Sequence, residues 1–544
     1  MLPMKQAVEG TLKREPGIRS RRAAYASLLR PCFGLLVAGL VFVLYLRTLA
    51  PDVLYYERPD LLDAVMFQTQ AYILGITHPT GYPTYLLLAH LFTYLPFGDP
   101  AYQVNLASAV FGAVAVFVVY LVGLRLSGRL SAAAVGALAF GIGNTFWSQA
   151  VLAEVYTLNA VFVSLVLLVL FMWRDTREDR LLLLAAFMMG LSLSHHATSG
   201  LLLPAAALFI FKVDRSRLSQ GRLILKGVGL FLIGLVPYLY LPIRGSMAPQ
   251  IREADPTSVL GFFSFVTGSE FLGSLGRGEV SDRISSLPGY FLDEFHIGLL
   301  LVAAVGALVM RRRDRAGLLL LGFLFVGWTV HAFVYNIFDY FLYFIPPYLI
   351  LALLIAVGAG DILARAERLV RNSSRLLRVV APVLFSIILI YLAVSDARSD
   401  YSLVDRSGDL KGRRIIDAVA EKAAPNAAIL HHRSPLWYMA LVEERRTDLI
   451  LVSPWYAIKA PLRLWSSPDN PRELEHRPQG PDADYTGVPD ALELAEYGPV
   501  YFIQGSVKPE DFEEAGFTIV PVEGVLYELV PPEGTPYTLP EERQ

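Results

Sequence analysis

The chain has 544 residues, 54% of them hydrophobic and only 18% charged, with a net charge of −2. Soluble domains usually carry about 25% charged residues, so a mean hydropathy of +0.47 identifies a membrane protein, and the near-neutral balance gives no argument for nucleic acid as a partner. The single cysteine, Cys32, excludes an intrachain disulfide.

Lys13, Arg14, Arg19, Arg21, Arg22 and Arg30 lie ahead of the first apolar run, Phe33 to Leu49. That run ends in RTLAPDV without a small-x-small cleavage site, so it reads as a retained helix and not a signal peptide. The loop after it, 50–102, holds Asp52, Glu57, Asp60 and Asp63, followed by the Gly/Pro-rich turn LGITHPTGYP with His78 and Tyr82. Irregular polar backbone survives at membrane depth only when buried in protein or lining a cavity. Acids placed there are functional candidates.

Further apolar runs at 103–124, 130–147, 156–173, 181–195, 199–211, 227–243, 297–310, 316–334, 342–360 and 379–395 bring the expected spans to about eleven. With residues 1–32 as a basic cytoplasmic N-terminus, the connections on that side hold about 26 Lys and Arg, and the short loops on the other side hold about five. An odd count sends the tail, 396–544, to the extracytoplasmic face. There RRIIDAVAEKAAPNAAILHH reads as an amphipathic helix followed by a short strand, and TDLILVS, PVYFIQG and GVLYELV are further short apolar runs bounded by turn residues. About 150 residues suffice for one small α/β domain. Ser466 to Pro489 reads as a long loop.

On this topology the unusual polar residues collect on the outer side. They are Asp63 and His78, then Trp147, Gln149, Glu154, Tyr156 and Asn159, then His195 and His196, then Tyr238, Tyr240 and Arg244 at the start of the outer loop 244–296, and finally Tyr335, Asn336, Asp339 and Tyr340. Together they suggest one outward pocket. Plainer readings stand beside this one. Asp52 reads first as a solvated acid, the tyrosines as an interfacial belt, Arg244 as a snorkelling side chain, and the histidine pair as satisfied helix-end residues. Glu154, inside an apolar run, needs a function or a partner such as Arg244, because an unpaired buried carboxylate costs about 2.5–3.5 kcal/mol. No histidine, acid or cysteine spacing reads as a metal site.

TLAP followed by acids, LGITHPTGYPTYLLLAHLF, VNLASAVFGA, FWSQAVLAEVYTLN, GLSLSHHAT and PYLYLPIRG occur in this order. In this the chain resembles the bacterial members of a membrane glycosyltransferase family of the GT-C superfold, which includes a eukaryotic O-mannosyltransferase of IPT domains. DRSGDLKGRRIIDAV, PLWYM and TDLILVSPWY extend the resemblance into the tail. One departure stands out. The family places a D-S-G-E block about fifteen residues before the turn histidine, and here that distance falls on Asp63-Ala64-Val65-Met66, whereas counting from TLAP falls on Glu57.

The resemblance implies an α-helical polytopic GT-C-like domain over 33–395 with an extracytoplasmic α/β domain behind it. It also implies transfer of a sugar, mannose being one candidate, from a polyprenyl-phosphate donor to a protein or envelope glycan acceptor outside the lipid bilayer. It makes Asp63 or Glu57 the base, Arg244, His78 and His196 the donor-phosphate contacts, and Tyr82, Glu154, Tyr156, Asn159 and Asp339 the substrate-binding residues. Some members of the superfold use a divalent cation, which this sequence does not require. Two other classes remain open: a transporter or flippase of lipid-linked sugars, expected to show repeat symmetry, and a non-catalytic scaffold.

Overall fold

The computed structural model describes residues 18–55, 62–247, 249–253, 255–269, 280–335, 337, 339–395, 397–432, 434–452, 487–496 and 498–535. The helices of the apolar part are α1 (Ile18–Thr48), α2 (Leu62–Ile73), α3 (Pro83–Phe92), α4 (Pro100–Ser127), α5 (Leu130–Gly141), α6 (Asn144–Ala150), α7 (Tyr156–Thr176), α8 (Asp179–Leu193), α9 (Leu202–Asp214), α10 (Gly221–Gly234), α11 (Tyr240–Ser246), α12 (Val259–Thr267), α13 (Val280–Glu294), α14 (Ile297–Arg313), α15 (Arg315–Val334), α16 (Ile345–Leu369) and α17 (Arg375–Val394).

Among the described residues, seven helices are long and apolar enough to cross a membrane, or ten if three bent pairs each count as one span. Each of the eleven expected runs falls on one of these or on α8, which is too short at 15 residues to qualify by itself. The bent pairs are α5 with α6 at 69°, α10 with the following helical segment at 41°, and α13 with α14 at 100°. Sequence hydropathy sees each as a single run or misses the first half, because a sharp bend leaves no mark on apolar content.

Local chemistry sets the helix ends. Before α4, the Asp99 side chain accepts a hydrogen bond from the Tyr102 N–H at 2.8 Å, Pro100 occupies the first turn, and Gly128 closes the far end at φ +71°. The bundle packs most tightly where α14 meets α16. A Cβ placed on Gly306 would run into the Leu354 carbonyl, and one on Gly358 into the Val302 carbonyl. Small residues that let backbones touch are the usual basis of helix association in lipid, where dispersion replaces the hydrophobic drive.

Beyond α17 come α18 (Ala397–Val404) and a small α/β unit: α19 (Lys411–Lys422), β1 (Ala428–Leu430), α20 (Leu436–Leu441), β2 (Ile450–Val452), α21 (Val488–Ala495), β3 (Val500–Ile503), α22 (Pro509–Glu514), β4 (Thr518–Glu523) and β5 (Leu526–Val530). The sheet order is β2-β1-β3-β5-β4, parallel across its first three strands and antiparallel beyond. The amphipathic α19 buries Ile415, Ile416 and Val419. The expected helix and strand and the three further apolar runs of the tail are all present as α19, β1, β2, β3 and β5, and β4 is an added strand. Its exposed pattern and Pro521 hide it from an alternation rule. The loop expected at 466–489 lies mostly outside the described residues.

Val53, Met66 and Ala101 share one apolar cluster with Ile415, Ile416 and Tyr438. The start of the first loop, α2 and the head of α4 are therefore seated directly on the α/β unit.

Candidate active site

Asp63 lies in the first turn of α2, where the exposed helix amides favour a carboxylate. Its Oδ2 is 3.5 Å from His78 Nε2, with the two side chains 25% and 12% exposed. Thr77 Oγ1 is 3.1 Å from His78 Nδ1. The turn HPTGYP closes through a hydrogen bond from the Gly81 N–H to the His78 carbonyl at 2.8 Å. Gly81, at φ +85°, has no room for a side chain: a Cβ would sit 2.6 Å from the Phe265 ring and 2.8 Å from Leu241. Tyr82 follows at φ +42°. A non-glycine residue held in the left-handed region costs of order 1–3 kcal/mol and is found most often at functional sites.

The segment carrying His78 is fastened on several sides. Arg244 donates from Nε to the Leu74 carbonyl at 2.7 Å and from Nη2 to the Ile73 carbonyl at 3.0 Å. Tyr240 Oη donates to the Gly75 carbonyl at 2.7 Å. Ile76 exchanges backbone bonds with Ile251 and Glu253, and Gln70 Nε2 donates to Glu253 Oε1 at 3.0 Å.

From His78 an aromatic wall continues inward. Ring centroids are 5.2 Å apart for His78 and Tyr82, 5.8 Å for Tyr82 and His196, and 5.9 Å from His196 to both Tyr156 and Tyr343. Tyr156 Oη donates to Asp339 Oδ2 at a long 3.5 Å. Tyr343 packs on His331 at 5.2 Å and on Tyr335 at 5.2 Å. The wall thus runs from one carboxylate, Asp63, to another, Asp339. Burial and the charge of Asp63 hold the Tyr82 phenol well above its usual pKa. Burial, with the nearby His195, His331 and His78, pushes His196 down to about 3, so its imidazole is neutral at pH 7. Its Nδ1 is 2.7 Å from Thr198 Oγ1, while its Nε2, like that of His331, is buried and meets no hydrogen-bond partner among the described residues.

The sequence-derived residues therefore divide. Asp63, His78, Tyr82, His196, Tyr156 and Asp339 form one continuous chain of contacts. Glu154 is buried beside it. Its backbone is tied to Ser108 Oγ, and its carboxylate Oε2 accepts from the Val155 N–H at 3.3 Å. The expected partnership of Glu154 with Arg244 does not form, since Arg244 spends its guanidinium on the end of α2. Asn159 is buried and accepts from Ser199 Oγ at 3.1 Å, a tie between helices. His195 has its Nε2 2.9 Å from the Val155 carbonyl, while its Nδ1 is buried and, like the Nε2 of His196, meets no hydrogen-bond partner among the described residues. Glu57, Asp60 and Asn336 lie outside the described residues. Two residues of the wall were missed, His331 and Tyr343. A histidine in an apolar run, four residues before Tyr335 and twelve before Tyr343, was the available signal. Asp52, read first as solvated, is instead held by Arg413. Among the described residues, no group of three or more His, Cys, Asp or Glu side chains is arranged to hold a metal ion.

The profile of the family described as Protein O-mannosyl-transferase TMEM260 N-terminal domain matches residues 63–219, a stretch that begins at Asp63 and includes the turn and His196. Protein O-mannosyl-transferase TMEM260 of Mus musculus is 27% identical over 432 residues, 72% of this chain and 60% of the mouse protein. The chain thus spans less than two thirds of that relative. The Dictyostelium discoideum protein of the same name is 22% identical over 575 residues, covering 92% of this chain and 68% of its own. In fold the chain resembles ArnT from Cupriavidus metallidurans. The apo structure superposes with a TM-score of 0.61 at 15% identity, covering 93% of this chain and 98% of ArnT. The structure bound to undecaprenyl phosphate gives 0.58 at 15% identity, covering 91% and 97%. The architecture is therefore that of the GT-C fold.

Proposed function

We propose that this chain, a GT-C-fold membrane protein of the TMEM260 O-mannosyl-transferase family, moves a sugar from a polyprenyl-phosphate donor to a hydroxyl of a protein or envelope glycan on the outer face of the membrane. The observation that carries this reading is the Asp63–His78 pair at the head of an aromatic wall that ends at Asp339. The ArnT structure with undecaprenyl phosphate and the names of the relatives support the donor and acceptor classes. The charge asymmetry of the connecting loops supports an outward site, an inside N-terminus and an outside α/β unit.

In this reaction the acceptor oxygen bonds to the anomeric carbon, the bond from that carbon to the phosphate oxygen breaks, and polyprenyl phosphate leaves. Asp63 takes the acceptor proton as the new bond forms, which a positioned carboxylate can do. His78 holds that carboxylate at the head of the aromatic wall. The tyrosine faces of the wall offer a sugar ring apolar contact, and Tyr156 with Asp339 offers hydroxyl partners. The unpartnered Nε2 atoms of His196 and His331 offer contacts for the phosphate charge that develops. Arg244 serves by fixing the end of α2 and the segment that leads to His78.

Mass spectrometry of envelope proteins and glycans tests this in the native host. A strain lacking the chain should lose a hexose-bearing species that returns with the wild-type gene and not with Asp63→Asn. An unchanged glycan and glycoprotein profile would remove the transferase reading.

A further inference from the structure

Asp52, Arg413 and Glu443 form a half-buried ion triad that joins the first loop to the α/β unit. Arg413, on α19, meets Asp52 with both prongs of its guanidinium: Nε to Oδ2 at 2.9 Å and Nη2 to Oδ1 at 2.8 Å. Its Nη1 reaches Glu443 Oε1 at 2.5 Å. The side chains of Arg413, Asp52 and Glu443 are 23%, 14% and 17% exposed. Flanking acids hold the guanidinium further toward its charged form, hydrogen bonding to Asp52 being the largest cause. Bidentate, partly desolvated Arg–carboxylate pairs fix orientation as well as distance.

The contact around the triad is close along its whole length. Gly412, the neighbour of Arg413, lies against the first loop so tightly that a Cβ there would strike the carbonyl of Val53 and come within 2.7 Å of that of Leu54. The Arg406 N–H donates to the Thr48 carbonyl at 3.0 Å, the Ala101 N–H to Tyr438 Oη at 3.1 Å, and Tyr55 Oη to the Gln504 carbonyl at 2.7 Å.

A second network, buried except where it meets Asp52, carries this grip on to α2. Gln68, one and a half turns along the helix from Asp63, accepts from the Leu54 N–H at 3.0 Å through Oε1. Its Nε2 donates to the Asp52 carbonyl at 3.2 Å and to Asn105 Oδ1 at 2.9 Å. Asn105 in turn donates to the Ala50 carbonyl at 3.0 Å. The path therefore runs from Arg413 through Asp52 and the loop backbone to Gln68 and the helix that bears Asp63.

We propose that the α/β unit is a clamp that sets the position of α2, with Arg413, Asp52 and Gln68 as positioning residues for Asp63. The catalytic half of this inference rests on the reading of Asp63 as the base, while the clamp itself does not. The residue types fit the task. Arginine supplies the two-pronged grip, and glycine beside it lets the helix touch loop backbone. A glutamine buried beside an irregular strand of backbone satisfies one N–H and one C=O that the loop itself leaves open.

Hydrogen exchange on the full-length protein in detergent or nanodiscs, paired with transfer kinetics, tests the clamp. Arg413→Ala and, from the other side of the contact, Asp52→Asn should each speed exchange of the α2 amides by about tenfold or more, since exchange tracks local opening. The α7 amides should be unchanged, and Arg413→Lys should fall between. Exchange in β1 and β3 shows whether the α/β unit itself stays folded in Arg413→Ala, and Asp52→Asn leaves that unit's own sequence intact. Transfer by the two variants should fall chiefly in kcat, by about tenfold or more, with KM for the lipid donor little changed, as expected for a misplaced group and not a lost binding contact. Unchanged α2 exchange in Asp52→Asn would overturn the clamp whatever the activity. Faster α2 exchange with unchanged kcat would overturn the link from the clamp to Asp63. If wild-type protein shows no transfer at all, the exchange arm still decides the clamp, and the loss falls on the transferase reading.

Discussion

Asp63→Asn should reduce sugar transfer by about 10²- to 10⁴-fold, the usual value of a positioned general base, while the protein stays folded and inserted. The amide keeps the volume and can still reach His78, 3.5 Å away, but it cannot take the acceptor proton. Glu57→Gln should be milder. Asp63 keeps the expected fifteen-residue distance to His78, and α2 is anchored at its middle by Gln68 and at its close by Arg244. Glu57 keeps only its distance from the end of α1. Steady-state rates of the two variants at saturating donor decide between them. Activity in Asp63→Asn with a dead Glu57→Gln would mean that the carboxylate is counted from the TLAP end, and full activity in both would remove the catalytic role of this loop.

Gly358→Val should be the most disruptive single change in the bundle. At α14–α16 the obstacle to a side chain is the backbone of the facing helix, with the Gly306 nitrogen 3.0 Å from the Gly358 Cβ position. Backbone cannot rotate aside as a flexible side chain can. Overpacking a well-packed site costs typically about 1–3 kcal/mol, and separating two helices along their contact places this change at the upper end or beyond. Gly322→Val is the matched control, since a Cβ on Gly322 of α15 has nothing within 4 Å. Size-exclusion chromatography after graded heating should show Gly358→Val lost well below the wild type and Gly322→Val near it. Equal survival of the two variants would show that the helices can part without cost.

The spans were legible because apolar content along a run is a local, additive signal. Bends such as the 69° break between α5 and α6 were not, since the residues remain apolar on both sides. The candidate site was legible where chemistry interrupts a pattern, as with Asp63 before a rigid turn, or His195-His196 after a span. It was hidden where the meaning lies in a distant partner. Nothing near Asp52 reveals Arg413, 361 residues away. Nothing near Arg244 reveals that its donors go to the carbonyls of Ile73 and Leu74. Nothing near Tyr343 sets it apart from the other tyrosines of its segment, and only the fold sets it against His196 and His331.

The most direct measurement is transfer by purified protein in liposomes supplied with polyprenyl-phosphate mannose labelled in the sugar, together with envelope proteins and glycans from the deletion strain as acceptors. Label should pass from the lipid fraction to a macromolecular acceptor with release of polyprenyl phosphate, and Asp63→Asn should leave it on the lipid. Label that crosses the bilayer while still attached to lipid, with none reaching an acceptor and no difference in Asp63→Asn, would contradict the account and identify a carrier of lipid-linked sugars.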